Sequence, residues 1–179
     1  MWLVPRRDIV DRAVAKRLFA RAARRPVVVP PELADRIEAL LARRCRDAMG
    51  LARRAGLAVA GFERVGEAVR RGNVALLLFA LDGAEAGRRR LTTARRIPWA
   101  SVLDAGELGG AFGRELVAFV AVGPGPLCKR LRLDLGRLAG FRSAAAFEGG
   151  ALEDGAFDGA INIASAKPAR QDNGTEAHE

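Results

Sequence analysis

The chain has 179 residues, half of them apolar, so it is long enough to bury the core of one domain, with or without a small partner module. Its formal net charge of +9 is unevenly distributed: residues 143–179 hold two basic and seven acidic side chains, a net of −5, which leaves +14 on residues 1–142. A basic body indicates a polyanionic partner, and nucleic acid is favoured over a membrane because the longest apolar run, Val74–Leu81, is much shorter than the roughly 18 to 20 residues of a span.

A basic helical segment follows a short extended stretch at residues 1–4. Asp8 is predicted to cap the N-terminus of a helix in which apolar residues recur at every fourth position from Val10 to Ala22. The segment from Arg12 to Arg25 contains six basic residues and no acid. Side chains of one charge repel each other unless a polyanion is near, although a solvated helix face is the alternative. We predict RNA contacts from Lys16, Arg17, Arg21, Arg24 and Arg25.

The next elements are a short strand and a long helix. Val27–Val29 is the strand candidate, and Pro30 ends it. A proline is compatible with the first turn of a helix, and the apolar pattern predicts a helix from Glu32 to Ala55. Unless it bends at Gly50, this helix is about 36 Å long at roughly 1.5 Å per residue.

Two glycines connect that helix to the following one within the stretch from Gly50 to Gly72. Gly56 stands where a helix C-terminus commonly needs a left-handed residue, and Gly61 permits a second sharp change of direction after a short apolar run. Apolar residues at helical spacing then predict a helix over Phe62–Arg71.

The start of this second helix is a candidate phosphate site. Helix N-termini present unpaired backbone N–H groups and the positive end of the helix dipole, which favour an anion. Arg53, Arg54 and Arg64 lie close to this turn in the sequence and are predicted to add charge to it. An ordinary helix-turn-helix corner with solvated arginines is the alternative.

Further along the chain, the pattern alternates between strands and helices. In order, the predicted elements are strand Val74–Leu81, helix Ala84–Ala94, strand Ala100–Leu103, helix Glu107–Phe112, strand Val117–Val122 and helix Pro126–Ala139. Such alternation indicates an α/β sheet with helices on both faces. Beyond Phe141 glycine, alanine and acids replace the periodic pattern, so residues 143–179 are predicted to be a disordered acidic tail.

Signals for catalysis are weak. Val122–Gly125 begins like a dinucleotide-binding turn, but the third glycine position holds Cys128. Asp82 follows a buried strand, where it serves either as an active-site acid or, as we favour, as a helix N-cap. The single histidine, His178, lies in the acidic tail, and no metal-ligand spacing is present. We therefore expect no enzymatic activity, no cofactor and no metal.

The cysteines and the first residues bear on the compartment. Cys45 and Cys128 are isolated from each other and from any CxxC motif, which fits reduced thiols in a bacterial-type cytoplasm. Charged residues at positions 6–8 interrupt the start before any long apolar stretch, so no signal peptide is expected. A cytoplasmic location follows from these two observations as an expectation.

Residues 46–142 resemble the superfamily of kink-turn-binding ribosomal proteins through GLARRAG, AGFERVGEAVRRG, LLLFALDGA and ELGGAFGRELVAFVAV. The resemblance implies a three-layer α/β/α sandwich with a small mixed sheet that binds structured RNA. Residues 1–45 are similar to the C-terminal half of a YlxR domain through MWLVPRRDIVDRAVAKRLFARAARR and VPPELADRIEALLARR. The chain thus resembles YlxR-like bacterial RNA-binding proteins, with a partial basic α+β module at 1–45, an RNA-binding domain at 46–142 and a tail at 143–179.

This resemblance also implies which residues face RNA. In the kink-turn binders, an Asn and a Glu follow the hinge glycine by two and three positions, and a Lys follows three further on. Counted from Gly61, those positions hold Glu63, Arg64 and Glu67 here. A glutamate can accept from a base amino group, whereas Glu67 in place of lysine loses a phosphate contact. We therefore expect Gly61, Glu63 and Arg64 to face RNA, with charge outweighing the reading of a kinked RNA.

The YlxR resemblance has two further implications. Such domains have an earlier segment with a cysteine-containing motif and a Gly-Arg-Gly, which this chain lacks, so Trp2 and Leu3 are expected to expose apolar surface. YlxR proteins are also linked to nucleoid association and to ribonuclease P. The predicted function is an RNA-binding accessory protein that recognises ribosomal or other non-coding RNA mainly through phosphates. The alternative is a regulator that binds DNA or protein, for example a ribonuclease P partner.

Overall fold

Seven helices and five strands form the part of the chain that a computed structural model describes, residues 2–83, 85–93, 97–143 and 145–148. The helices are α1 Arg7–Ala15, α2 Leu18–Ala23, α3 Leu33–Arg54, α4 Phe62–Arg71, α5 Glu85–Thr93, α6 Ala105–Phe112 and α7 Pro126–Ala139. The strands are β1 Ala58–Ala60, β2 Leu76–Phe79, β3 Trp99–Ser101, β4 Phe119–Val122 and β5 Ala146–Glu148.

The strands make one mixed sheet in the order β1-β4-β2-β3-β5. β2 and β3 are parallel and connected through α5, whereas the other neighbouring pairs are antiparallel. All four residues of β2 are buried, which is the reason that this strand reads in the sequence as a continuous apolar run. The pairing of β1 with β4 brings the start of α4 close to the strand that follows α6.

Side chains alternate across the sheet into two cores. Leu76 and Leu78 point into a core shared with α3, α6 and α7, and Leu77 and Phe79 point into a core shared with α4 and α5. Helices therefore cover both faces of the sheet. The predicted three-layer α/β/α sandwich with a small mixed sheet is confirmed.

The first helix is attached to the sandwich at the N-terminal end of α3. Val10 packs with Ala34 and Phe141 in a small apolar cluster. Arg7 forms ion pairs with Asp35 and Glu38, both at 2.6 Å. The predicted division between residues 45 and 46 lies inside α3, which runs without interruption from Leu33 through Gly50 to Arg54.

Three sequence-based predictions for the N-terminal region are wrong. Asp8 does not cap α1: Arg6 occupies the N-cap position, and Asp8 in the first turn accepts a hydrogen bond from the Arg6 Nε at 3.0 Å. The predicted helix breaks at Arg17, whose φ is +50°, and the following α2 has no buried residue. Val27–Val29 forms no strand, and Val28 is 97% exposed. Local periodicity predicts regular structure from residue 18 to residue 29, but α2 buries none of its residues and Val27–Val29 pair with no described strand.

The ordered sheet also extends further than predicted. β5 pairs with β3 from Ala146 to Glu148, so the predicted start of the acidic tail at residue 143 is too early. The rest of that predicted tail, from residue 149 onward and including His178, lies outside the described residues.

The polar residues considered for catalysis have structural partners or are inert. Asp82 Oδ1 accepts from the Ala105 backbone N–H at 2.9 Å and so caps a free N–H at the start of α6. Cys45 and Cys128 are buried and free, and burial raises the pKa of the Cys45 thiol to about 12. The described ranges contain no group of three or more His, Cys, Asp or Glu side chains suited to a metal ion. Within those same ranges, no helix combines the length and the apolar character needed to cross a membrane.

Candidate nucleic-acid interface

A basic cleft of about 220 Å³ lies where α3 ends and α4 begins, and we call it the corner cleft. Its lining includes Arg53, Val59, Arg64, Phe112, Gly113 and Arg114. These residues come from the end of α3, from β1, from α4 and from the loop that joins α6 to β4.

Backbone geometry shapes the turn into α4. α3 ends with Gly56 at φ +70°, and the Leu57 N–H donates to the Ala52 carbonyl oxygen at 2.8 Å. Gly61 has φ +101°, a conformation that side chains with a Cβ rarely adopt, and its N–H donates to the Phe119 carbonyl oxygen at 2.9 Å. Phe62 then packs edge-on against Phe119, with ring centroids 5.4 Å apart. The start of α4 is therefore fixed against β4.

The first turn of α4 has free hydrogen-bond donors. Gly61 occupies the N-cap position and no side chain caps the helix. The first intrahelical bond runs from the Val65 N–H to the Gly61 carbonyl oxygen. The N–H groups of Phe62, Glu63 and Arg64 thus lack intrahelical acceptors, and they lie at the positive end of the helix dipole. An anion at this position can accept from them.

Arginines surround this turn. A Cβ placed on Gly61 would lie 3.8 Å from an Arg114 Nη1, and one placed on Gly113 would lie 3.4 Å from the Arg53 Nη1. The same Arg53 nitrogen donates to the Ala111 carbonyl oxygen at 3.5 Å. Within the described part of the chain, Arg53, Arg64 and Arg114 have no carboxylate partner within 4.0 Å. The corner cleft consequently carries positive charge that the protein itself does not neutralise.

The structure brings together some of the residues predicted to bind RNA and separates others. Arg53 and Arg64 line the corner cleft, and Gly61 lies near it, since its Cβ position is 3.8 Å from the Arg114 Nη1. Glu63 is exposed in the first turn of α4 and does not line the cleft. Arg54 lines a different, larger cleft of about 490 Å³ between α3 and α6. The consecutive residues Arg53 and Arg54 therefore line two different clefts.

The predicted basic residues at the N-terminus form a separate region, which we call the N-terminal arm. Its members are the exposed side chains of Lys16, Arg17, Arg21, Arg24 and Arg25. α1 docks on α3 near Ala34, and Arg53 lies 19 residues further along the helix, about 28 Å away at 1.5 Å per residue. No residue of the arm lines the corner cleft, so the two are distinct patches of positive charge.

Sequence reasoning missed Arg114 and Leu116. Both belong to the loop between α6 and β4. Leu116 is 66% exposed and follows Arg114, which lines the corner cleft, by two residues. The sequence does contain a local signal: a glycine that ends a short helix, Gly113, is followed directly by Arg114. Nothing local in that signal indicates that β4 pairs with β1 and so brings this loop to Gly61.

Comparisons with known proteins give structural likeness only. No protein-family model matches the chain, and no curated protein matches it. Among solved structures, a protein of unknown function from Bacillus halodurans is 25% identical, covering 51% of this chain and 96% of its own, with a TM-score of 0.48. The 15.5kD RNA binding protein of Giardia lamblia is 15% identical, covering 57% of this chain and 90% of its own, with a TM-score of 0.44. Both TM-scores are below 0.5, so neither likeness transfers a function to this chain.

Proposed function

We propose that this protein is a non-enzymatic RNA-binding accessory protein that holds structured RNA mainly through phosphate contacts at the corner cleft. The observation that carries the proposal is the set of three arginines, Arg53, Arg64 and Arg114, around a helix start with free N–H groups and without a carboxylate partner in the described residues. Charged donors in a recess that Arg64 of the first turn of α4 lines, next to the open N–H groups of that turn, match the acceptor oxygens of a phosphodiester.

The form of the cleft favours RNA over duplex DNA. Proteins read B-DNA by inserting a helix or a ribbon into the major groove, whereas the corner cleft is a recess. A recess suits a phosphate that an irregular or single-stranded backbone presents outward. The specific observation that favours the DNA-binding alternative is α2, a short helix without buried residues that carries Arg21 and is flanked by Arg17 and Arg24. We propose ribosomal or other non-coding RNA as the class of RNA that binds.

Removing the three arginines of the corner cleft should weaken RNA binding strongly. Each phosphate contact contributes roughly 0.7 to the slope of log affinity against log salt for single strands, so Arg53→Ala/Arg64→Ala/Arg114→Ala should lower the slope by about 2 and the affinity about 50-fold at 0.15 M salt. Fluorescence anisotropy with a labelled RNA hairpin across a salt series measures both quantities.

A matched control removes the same charge elsewhere. Lys129, Arg130 and Arg132 lie on α7 and line neither the corner cleft nor the cleft between α3 and α6, so Lys129→Ala/Arg130→Ala/Arg132→Ala should change the affinity only slightly. Equal losses in the two triple variants would contradict a localised site. An Arg21→Ala/Arg24→Ala/Arg25→Ala variant, titrated with duplex DNA and with RNA, tests the alternative: if it alone loses binding, and mainly to DNA, the N-terminal arm is the functional surface.

Charge rather than base reading should dominate at this site. Glu63 is an exposed carboxylate beside the corner cleft, where it repels phosphate unless a base amino group engages it. Glu63→Ala should therefore bind a kink-turn RNA and a straight RNA duplex of equal length about equally, both slightly more tightly than the wild type does. A specific base contact is worth about 1 to 3 kcal/mol. A wild-type preference of tenfold or more for the kinked RNA that disappears in Glu63→Ala would show that the base is read.

A further inference from the structure

We propose that the cleft between α3 and α6 holds a second segment of the RNA backbone that continues from the corner cleft. We call it the α3–α6 groove, and its lining includes Arg43, Arg46, Gly50, Leu51, Arg54 and Gly110. It encloses about 490 Å³, more than twice the volume of the corner cleft. This inference rests on the proposed RNA-binding function and adds a site to it.

Three arginines and one carboxylate, Asp47, line the groove, so its net charge is positive. Arg43 lies 3.8 Å from Asp47, but both side chains are about 70% exposed, so this ion pair is weak. Arg46 and Arg54 have no ion-pair partner within 4.0 Å in the part of the chain that the structure describes. The groove residues of α3 lie at positions 43, 46, 47, 50, 51 and 54, a spacing that places them on one helix face. The 11 helical steps from Arg43 to Arg54 extend about 16 Å, long enough for several phosphates of one strand.

The groove is also accessible to a backbone. The Ala111 carbonyl oxygen lies 3.9 Å from the position that a Cβ on Gly50 would occupy. Because Gly50 has no side chain, nothing projects from α3 into the groove at this point. A Cβ on Gly110 would meet nothing within 4 Å, so the α6 side of the groove is open. Leu51 is 45% exposed and supplies an apolar wall. A phosphodiester chain can therefore approach the arginines without displacing protein side chains.

Continuity with the corner cleft argues for RNA as the occupant. Arg53 and Arg54 are consecutive residues that line the two clefts. The Arg53 guanidinium donates to the Ala111 carbonyl oxygen, and Ala111 itself lines the groove. One RNA strand can pass from the corner cleft, where it contacts Arg53, into the α3–α6 groove, where it contacts Arg54. An acidic protein segment would match the charge of the groove alone, but it would not use this continuity.

The test compares an RNA hairpin with the same hairpin carrying a six-nucleotide single-stranded extension. We expect the extension to tighten binding by wild type at least tenfold at 0.15 M salt, because two or three added phosphate contacts give that increase. Arg46→Ala/Arg54→Ala should lose this gain while its affinity for the short hairpin changes little. Gly110→Leu should lose the gain as well, because the leucine side chain fills the groove without changing any charge. Thermal unfolding tests whether this variant is folded.

Two controls separate the outcomes. Lys129→Ala/Arg130→Ala removes the same two charges from α7 and should retain the gain. If the hairpin binds and the corner variant weakens it, but the extension adds nothing to wild type, the groove inference is overturned and the proposed function stands. If neither RNA shows salt-dependent binding, both are overturned. If oligoglutamate binds and both groove variants lose it while the RNA gain persists in them, the groove takes an acidic protein segment instead.

Discussion

Replacing Arg142 with methionine is expected to lower the free energy of unfolding by about 2 to 3 kcal/mol, because it leaves Glu107 without a charged partner, whereas Glu38 keeps its ion pair with Arg7. Arg142 donates to Glu107 at 2.7 and 2.8 Å, to Glu38 at 2.9 Å and to the Val102 carbonyl oxygen at 2.7 Å. Arg142 and Glu107 are only 17% and 18% exposed, so water cannot fully replace these bonds. Denaturant titration of wild type and variant measures the loss.

The same network makes stability depend on pH. Burial disfavours the charged form of Glu107, but hydrogen bonds from Arg142 and from the Asp104 backbone N–H outweigh burial, and the pKa of its carboxyl falls below the ordinary value. A lowered pKa in the folded state means that the stabilisation is complete above the unfolded pKa of about 4.3 and is lost as the pH falls through the folded value. Wild type should therefore lose stability in acid more steeply than Arg142→Met does.

An exposed ion pair provides the comparison. Arg71 and Glu67 are 3.4 Å apart on α4 with side chains 77% and 53% exposed, so Arg71→Ala should change stability by no more than about 0.5 kcal/mol. A second substitution, Glu107→Gln in the Arg142→Met background, should recover part of the loss because it removes one unpaired carboxylate. Equal effects of Arg142→Met and Arg71→Ala would show that the network contributes no more than a surface pair.

The sandwich could be predicted from the sequence because its strands and helices carry strong local signals. The predicted helix Pro126–Ala139 agrees with α7 at both ends, since proline begins it and a glycine follows it. The buried run that contains β2 was equally clear. The break at Arg17 and the irregular backbone at Val27–Val29 were not predictable in the same way, because an apolar pattern specifies neither a left-handed residue nor a strand to pair with.

Part of the corner cleft could be predicted from the sequence because some of its residues are close to one another in the chain. Arg53, Gly61 and Arg64 lie within 12 residues of one another, so one turn brings them together. Arg114 comes from 50 residues further along, and only the pairing of β1 with β4 places it there. Arg54 was assigned to the same site as Arg53, yet consecutive helical residues point about 100° apart, and it lines the α3–α6 groove instead.

Gly109→Ala is expected to destabilise the protein by about 1 to 3 kcal/mol and to disturb the corner cleft as well. A Cβ on Gly109 would lie 2.5 Å from the Arg114 carbonyl oxygen and 2.6 Å from that of Glu115. These are backbone atoms, and the Arg114 N–H is itself bonded to the Gly109 carbonyl oxygen at 3.0 Å, so the loop cannot move without losing that bond. Displacing the loop moves Arg114 away from Gly61. The loss of one phosphate contact should lower RNA affinity about fourfold at 0.15 M salt.

The neighbouring glycine is the matched control. Gly110 lies in the same helix, and a Cβ there meets nothing within 4 Å, so Gly110→Ala should gain about 0.5 to 1 kcal/mol from the better helix propensity of alanine. The two variants differ by one position and carry the same added methyl group. Thermal unfolding should therefore move in opposite directions, and only Gly109→Ala should weaken the binding of a short RNA hairpin. If Gly109→Ala is as stable as Gly110→Ala and binds the hairpin as wild type does, the loop tolerates the added methyl group, and close packing against Gly109 is not what holds Arg114 at the corner cleft.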